Sequence, residues 1–290
     1  MNTAPLPASL VAGLCDDAAV FPPGNLPLAQ AVPAHVGHLR SSHRDLVGPL
    51  VVAAKDLDKL AEVVAGLPEK PADGELDVAV TVPLPQVAEA VAATARIPSV
   101  RLRVLEVALP GDSEPGDVTT ALRTVLGKDP EVTVFVEVPR DTRRDAVLDA
   151  LAGTPYLAKF RTGGVRAEFY PDESELAACV LAAVRAGVPF KATAGLHHAL
   201  RNTDPATGFE QHGFLNLLAA TGAALDGADE AELVPLLADR DGARVSEQVR
   251  ALPSRVREAF RSFGTCSIVE PVAELAGLGL VTPDTSKDVL

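Results

Sequence analysis

Short apolar runs alternate with helix-like stretches along nearly the whole chain, and this alternation is the strongest constraint on its fold. Eight runs carry it: Leu10–Phe21, Leu46–Lys55, LDVAVTVP, Val100–Pro110, Val132–Pro139, YLAKFRTGG, VPFKATAG and Phe260–Val269. Between them lie segments such as DLDKLAEVVAG, with Asp56 placed to cap it and Gly66 to stop it, and the alanine-rich ESELAACVLAAVRAG. Strands that alternate with helices predict a parallel sheet with crossover connections. Eight such units in 290 residues predict an α/β fold, a single (β/α)8 barrel over residues 1–281. A doubly wound open sheet is the alternative. One connection is oversized: between the seventh and eighth runs, residues 201–257 hold three helical pieces, an insertion expected to lid the barrel mouth. Residues 282–290 read as a loose tail.

Composition narrows the function. Hydrophobic residues make up 47% and aromatics only 4%, with no Trp, so the core must be built from Val, Leu and Ala. Few aromatics argue against a reader of nucleic-acid bases. A formal charge of −13 opposes DNA and anionic membranes, and no apolar run reaches the ~18 residues of a membrane span. Cys15, Cys179 and Cys266 do not make a disulfide framework, and buried free thiols are their plain reading. A cytoplasmic setting is expected, with a small molecule rather than a nucleic acid or membrane as partner. A homodimer is a fold-based expectation only.

The informative residues are polar ones near the ends of strands. They are Asp16 and Asp17 on the first run, Lys55 on the second, Glu106 on the fourth and Glu137 on the fifth. Lys159 and Arg161 follow on the sixth, Lys191 on the seventh, and Thr265, Cys266 and Ser267 on the eighth. Residues two apart share a strand face, so Lys159 and Arg161 point the same way. In a closed barrel, inward groups at the carboxyl ends converge on one mouth. Lysine is rarely buried without a partner or a function. The histidines His35, His38 and His43, with Arg40 and Arg44, read as a solvated basic helix end.

Converging lysines and carboxylates suit imine chemistry. A free lysine, with a pKa near ~10.4, is a poor nucleophile at neutral pH. Burial, or a second ammonium within about 4–6 Å, lowers that value and frees the amine to attack a carbonyl. Lys159 is expected to be the nucleophile, Lys191 the partner that lowers its pKa, and Glu106 the proton shuttle. The set needs no cofactor.

The same residues resemble the deoxyribose-phosphate aldolase family. Lys159-Phe-Arg-Thr162-Gly163 is similar to that family's K-x-x-T-G, whose lysine forms the Schiff base. Lys191-Ala192-Thr-Ala-Gly195-Leu196 is similar to its K-A-x-G-G-I. Phe263-Gly264-Thr265-Cys266-Ser267-Ile268 resembles its F-G-A-S-S-L, part of a phosphate site, and Leu105-Glu106-Val107 stands where the family has V-D-V. The matches keep their order from Val100 to Val269. Glu106 replaces an aspartate, Leu196 a second glycine and Cys266 a serine. The resemblance implies a class I aldolase acting on a small carbonyl compound, with an anionic group as an option. Arg161, Thr162, Gly195, His197, Ser267, Asp16, Lys55 and Glu137 complete the expected binding residues.

Two other readings stand beside it. Glu106, Glu137 and Asp16 or Asp17 are oxygen ligands suited to Mg²⁺, with Lys159 as base. Of His197 and His198, which point to opposite faces, at most one serves a metal, and a hydrogen-bonded loop histidine is the plainer reading. A non-catalytic ligand-binding barrel is the third option.

Overall fold

Each of the eight apolar runs contributes one strand to a closed parallel barrel. The computed structural model describes residues 4–68, 74–127 and 131–282. The strands are β1 (Cys15–Asp17), β2 (Val47–Ala53), β3 (Leu76–Pro83), β4 (Val100–Ala108), β5 (Thr133–Glu137), β6 (Leu157–Arg161) and β7 (Phe190–Thr193). The eighth staves position belongs to β10 (Phe260–Thr265), because β8 (Asn202–Thr203) and β9 (Glu210–Gln211) form a separate antiparallel pair. Neighbours follow chain order, and β10 closes the barrel by pairing with both β7 and β1. This is a (β/α)8 barrel with helices outside.

Local chemistry explains the elements that set the site. Helix α7 (Glu173–Ala186) joins β6 to β7. Asp172 caps it by accepting a hydrogen bond from the Glu175 amide, and Gly187 ends it in the left-handed region at φ 64°. Its apolar face, including Leu176, Val180 and Ala183, is buried. Outward strand residues meet such faces: the ring of Phe190 lies 5.3 Å from that of Phe160 and 5.4 Å from that of Phe260. Alternation along each strand then turns Lys159 and Lys191, neighbours of Phe160 and Phe190, toward the barrel axis.

Several sequence expectations need correction. The first run is not one strand: Ala8–Val11 forms a short helix, Gly13 turns the chain at φ 56°, and β1 is three residues long. Asp56 starts the helix Leu57–Ala65 without a side-chain capping bond. Residues 201–257 form α8 (Phe214–Leu225), α9 (Glu230–Ala238), α10 (Gly242–Arg250) and α11 (Val256–Ala259), together with the β8–β9 pair. They brace the flank. Phe214 stacks on Phe263 of β10 with ring centroids 4.6 Å apart, and α8 and α9 pack on α7. None of these residues lines the barrel mouth, so the segment is a buttress and not the expected lid. His35 is fully buried, its Nδ1 2.9 Å from Asp17 Oδ2, which replaces the solvated basic helix end with a buried pair. Asp17 thereby points outward while Asp16 points into the barrel. The loose tail lies outside the described residues from 283 onward.

Candidate active site

The strand ends surround a cavity of about 610 Å³ at the carboxyl end of the barrel. That size suits a small organic ligand. Its floor carries charge. Glu106, Glu137, Lys159 and Arg161 line it, whereas Lys191 and Asp16 lie beneath. An apolar wall, formed by Phe21, Pro22, Val82, Pro83, Val165 and Phe169, completes the lining.

Register assembles the floor. Lys159 stands opposite Glu137 on β5 and opposite Lys191 on β7, and Arg161 stands opposite Thr193. The result is a row of alternating charge. Ser262 Oγ donates to Asp16 Oδ2 over 2.7 Å, and Lys191 Nζ donates to the same oxygen over 2.5 Å. Lys191 also donates to Glu106 Oε1 at 2.5 Å, and Lys159 donates to Glu106 Oε2 at 3.0 Å. Lys159 Nζ lies 3.0 Å from Glu137 Oε2, and Arg161 Nε is 3.3 Å from Glu137 Oε1. Lys191 sits above the Phe135 ring, 5.5 Å from its centre.

Electrostatics corrects the expected lysine activation. Burial works against both ammonium groups, but the carboxylates outweigh it. Glu106 and Glu137 raise the pKa of Lys159, and Asp16 and Glu106 raise that of Lys191. Lys191 therefore does not depress Lys159, because Glu106 stands between them. Burial disfavours the Glu106 carboxylate as well, yet Lys159 and Lys191 hold it down to about 2. Burial, Lys159 and Arg161 act likewise on Glu137, with the cations prevailing. Asp16 goes the other way, since burial exceeds the help of Lys191 and Ser262.

The remaining expected residues divide between cavity and scaffold. Lys55 is exposed at the rim and lines the cavity. His197 lines it too, with Nδ1 3.2 Å from Cys266 Sγ. Burial, with His198 nearby, lowers His197 to about 4, and burial raises the Cys266 thiol to about 11. At neutral pH this corner is uncharged, so His197 supplies no cation for an anionic group. His198 points away and pairs with Glu274 at 2.6 Å.

Four residues expected to bind substrate do not line the cavity: Asp16 lies beneath it, held by Lys191 and Ser262, and Thr162, Gly195 and Ser267 belong to the scaffold. The Thr162 hydroxyl is spent on backbone, donating to the Thr193 and Ala194 carbonyls at 3.1 and 2.6 Å. Gly195, at φ 72°, is needed because a Cβ there would come within 3.0 Å of Gly163 Cα. Ser267 Oγ accepts the Glu270 amide at 3.3 Å, in the first turn of the helix Val269–Gly277. Cys15 and Cys266 do not approach in register, since Cys15 stands opposite Phe263.

Ser262 and the aromatic wall were not singled out from the sequence. Ser262 had a signal: it lies two residues before Gly264 on β10 and so shares the inward face. Phe21 and Phe169 sit in loops, where no periodicity marks them.

Among the described residues no group of three or more His, Cys, Asp or Glu side chains is arranged to hold a metal ion. The Glu106 and Glu137 oxygens that the metal reading needs are instead engaged by Lys159, Lys191 and Arg161. Among the described residues, too, no helix is long and apolar enough to cross a membrane. No protein-family model and no curated protein matches the chain.

Proposed function

We propose that the protein is a lyase of the class I aldolase type, in which Lys159 forms an imine with a small carbonyl compound and a carbon–carbon bond next to that imine is made or broken. The observation that carries this reading is the position of the Lys159 amine. It lines the cavity while its Nζ sits between Glu106 and Glu137, each at 3.0 Å. Lys191 has no exposed surface and serves as the fixed counter-ion of Glu106 and Asp16.

The raised pKa of Lys159 changes how such chemistry runs. An ammonium and an iminium carry the same single positive charge. Carboxylates fixed around the first are already placed for the second, so the site favours the cationic intermediate without reorganising. The same contacts make the resting amine reluctant to lose its proton, which therefore needs an acceptor within reach. The apolar wall gives the carbon skeleton of such a compound a surface to pack on.

Borohydride trapping tests the reading. The protein is incubated with a panel of small aldehydes, hydroxyketones, 2-oxo acids and sugar phosphates, reduced, and mapped by mass spectrometry. The expected result is a stable mass gain on the peptide carrying Lys159, absent from Lys159→Met. An adduct on Lys191 reverses the roles of the two lysines, and no adduct across the whole panel removes the imine reading.

A further inference from the structure

We infer that Glu137, rather than Glu106, is the catalytic acid–base at Lys159, with Arg161 as its positioning counter-ion. The inference rests on the imine reading and goes beyond it by dividing labour between the two carboxylates.

Geometry separates them. Each oxygen of Glu106 is taken by a different lysine, Oε1 by Lys191 at 2.5 Å and Oε2 by Lys159 at 3.0 Å. Its side chain is 2% exposed. A proton passed from Lys159 to Glu106 would neutralise one of the two carboxylates that hold the fully buried Lys191 ammonium, leaving it only Asp16 in the barrel core. Glu137 is built differently. Its side chain is 22% exposed, against 2% for Glu106 on the same cavity lining, and it contacts the amine from the open side. Oε2 lies 3.0 Å from Lys159 Nζ, while Oε1 has the longer 3.3 Å contact to Arg161. Arg161 is itself 39% exposed and rests over the Phe169 ring, so it can shift without opening the core. Glu106 is thus a fixed anion and Glu137 a movable one.

The proton count closes within the site. Lys159 passes one ammonium proton to Glu137, and the neutral amine attacks the carbonyl carbon. The new C–N bond forms as the C=O π pair moves to oxygen, which takes the proton back from Glu137. Glu137 then accepts a second proton from nitrogen and delivers it to the same oxygen. The C–O bond breaks, water leaves, and the nitrogen lone pair forms the iminium. Three ammonium hydrogens become two in water and one on the iminium, so no outside acid or base is consumed.

That closure gives a test. The rate of borohydride-trapped adduct formation, with whichever carbonyl the wild type accepts, is measured from pH 7 to pH 9. In the wild type it should be nearly flat, because the proton never leaves the site. In Glu137→Gln it should fall by about a hundredfold at pH 7 and rise about tenfold per pH unit, as bulk base must remove the proton. Formate should restore the rate in Glu137→Ala and not in Glu106→Ala. Equal rates and equal slopes in wild type and Glu137→Gln overturn the inference and return the role to Glu106. So does a slow Glu137→Gln that stays flat with pH and ignores formate in its alanine counterpart, since that marks a packing defect. A wild type that forms no adduct removes the imine reading itself, and this inference with it.

Discussion

Lys159 and Lys191 are register partners on adjacent strands, yet their ammonium groups are kept apart by a single carboxylate that binds both. Glu106 turns what would be a like-charge contact into a bridge. The core of the barrel is thereby ionic rather than aliphatic at this level, and its stability rests on all partners being present.

Removing one partner should be costly. Lys191→Met leaves Asp16 and Glu106 without their shared cation, and the expected loss is about 3–5 kcal/mol of unfolding free energy. Chemical denaturation measures it. Adding Asp16→Asn to Lys191→Met should cost less than the sum of the two single changes, because the second removes a charge that the first has orphaned. Strict additivity would sink the idea of one coupled row.

The acid limb of stability should belong in part to Glu106. Its carboxyl is held at about 2, below the ordinary 4.5. A depressed carboxyl contributes stability above its unfolded value and loses it as pH falls through the folded one. The contribution is therefore complete above 4.5 and fades toward 2. Lys159, raised above 10.5, acts at the other end: its contribution is complete below 10.5 and is lost as pH rises through the raised value. Urea titrations of wild type and Glu106→Gln should give a stability difference that narrows as pH falls from 4.5 toward 2. A difference that does not change with pH would mean the lysines do not hold Glu106 ionised.

Thr162 and Gly195 test the scaffold rather than the chemistry. Thr162→Val removes the donor to two carbonyls, Thr193 and Ala194, and should destabilise by about 1–3 kcal/mol. The set of carbonyl compounds trapped on Lys159 should not change, because Thr162 does not line the cavity. A changed set with unchanged stability would return Thr162 to the binding residues. Gly195→Ala forces a Cβ against Gly163 and Tyr170 at a left-handed backbone position, and should lower the melting temperature more than Gly74→Ala, also at positive φ but with nothing within 4 Å.

Lys55 tests the charge of the substrate. It lines the cavity from the exposed rim, across the barrel from Arg161. Lys55→Ala should weaken trapping of carbonyl compounds that carry a carboxylate or phosphate about two- to fivefold, the size of an exposed ion pair, and leave uncharged ones alone. Equal effects on both kinds would show that Lys55 does not read charge.

The barrel itself was legible because burial repeats eight times, and repetition survives errors in single elements. The inward charges were legible for a related reason: Lys159, Lys191, Glu106 and Glu137 are conspicuous inside apolar runs. What the sequence hid was pairing. Nothing in the order of residues tells whether two lysines on neighbouring strands repel each other or share a carboxylate from a third, since the answer depends on stagger around a closed barrel. Thr162 misled for a similar reason, because a hydroxyl at the end of a charged strand can face a ligand or tie down a carbonyl. The segment 201–257 was read correctly as helices and wrongly as a lid, because helical periodicity shows that a face is buried but not against what.

The row from Asp16 to Arg161 contains three carboxylates and three cations joined end to end. It is therefore electrically neutral as a unit, while any single change of charge leaves it one unit out of balance, most severely at its buried end from Asp16 to Lys159. Divergence at this level of the barrel should proceed by exchange of pairs. Across chains descended from a common ancestor, positions 16, 106, 137, 159, 161 and 191 should covary in sign, so that the interior keeps a conserved sum even where its individual letters drift.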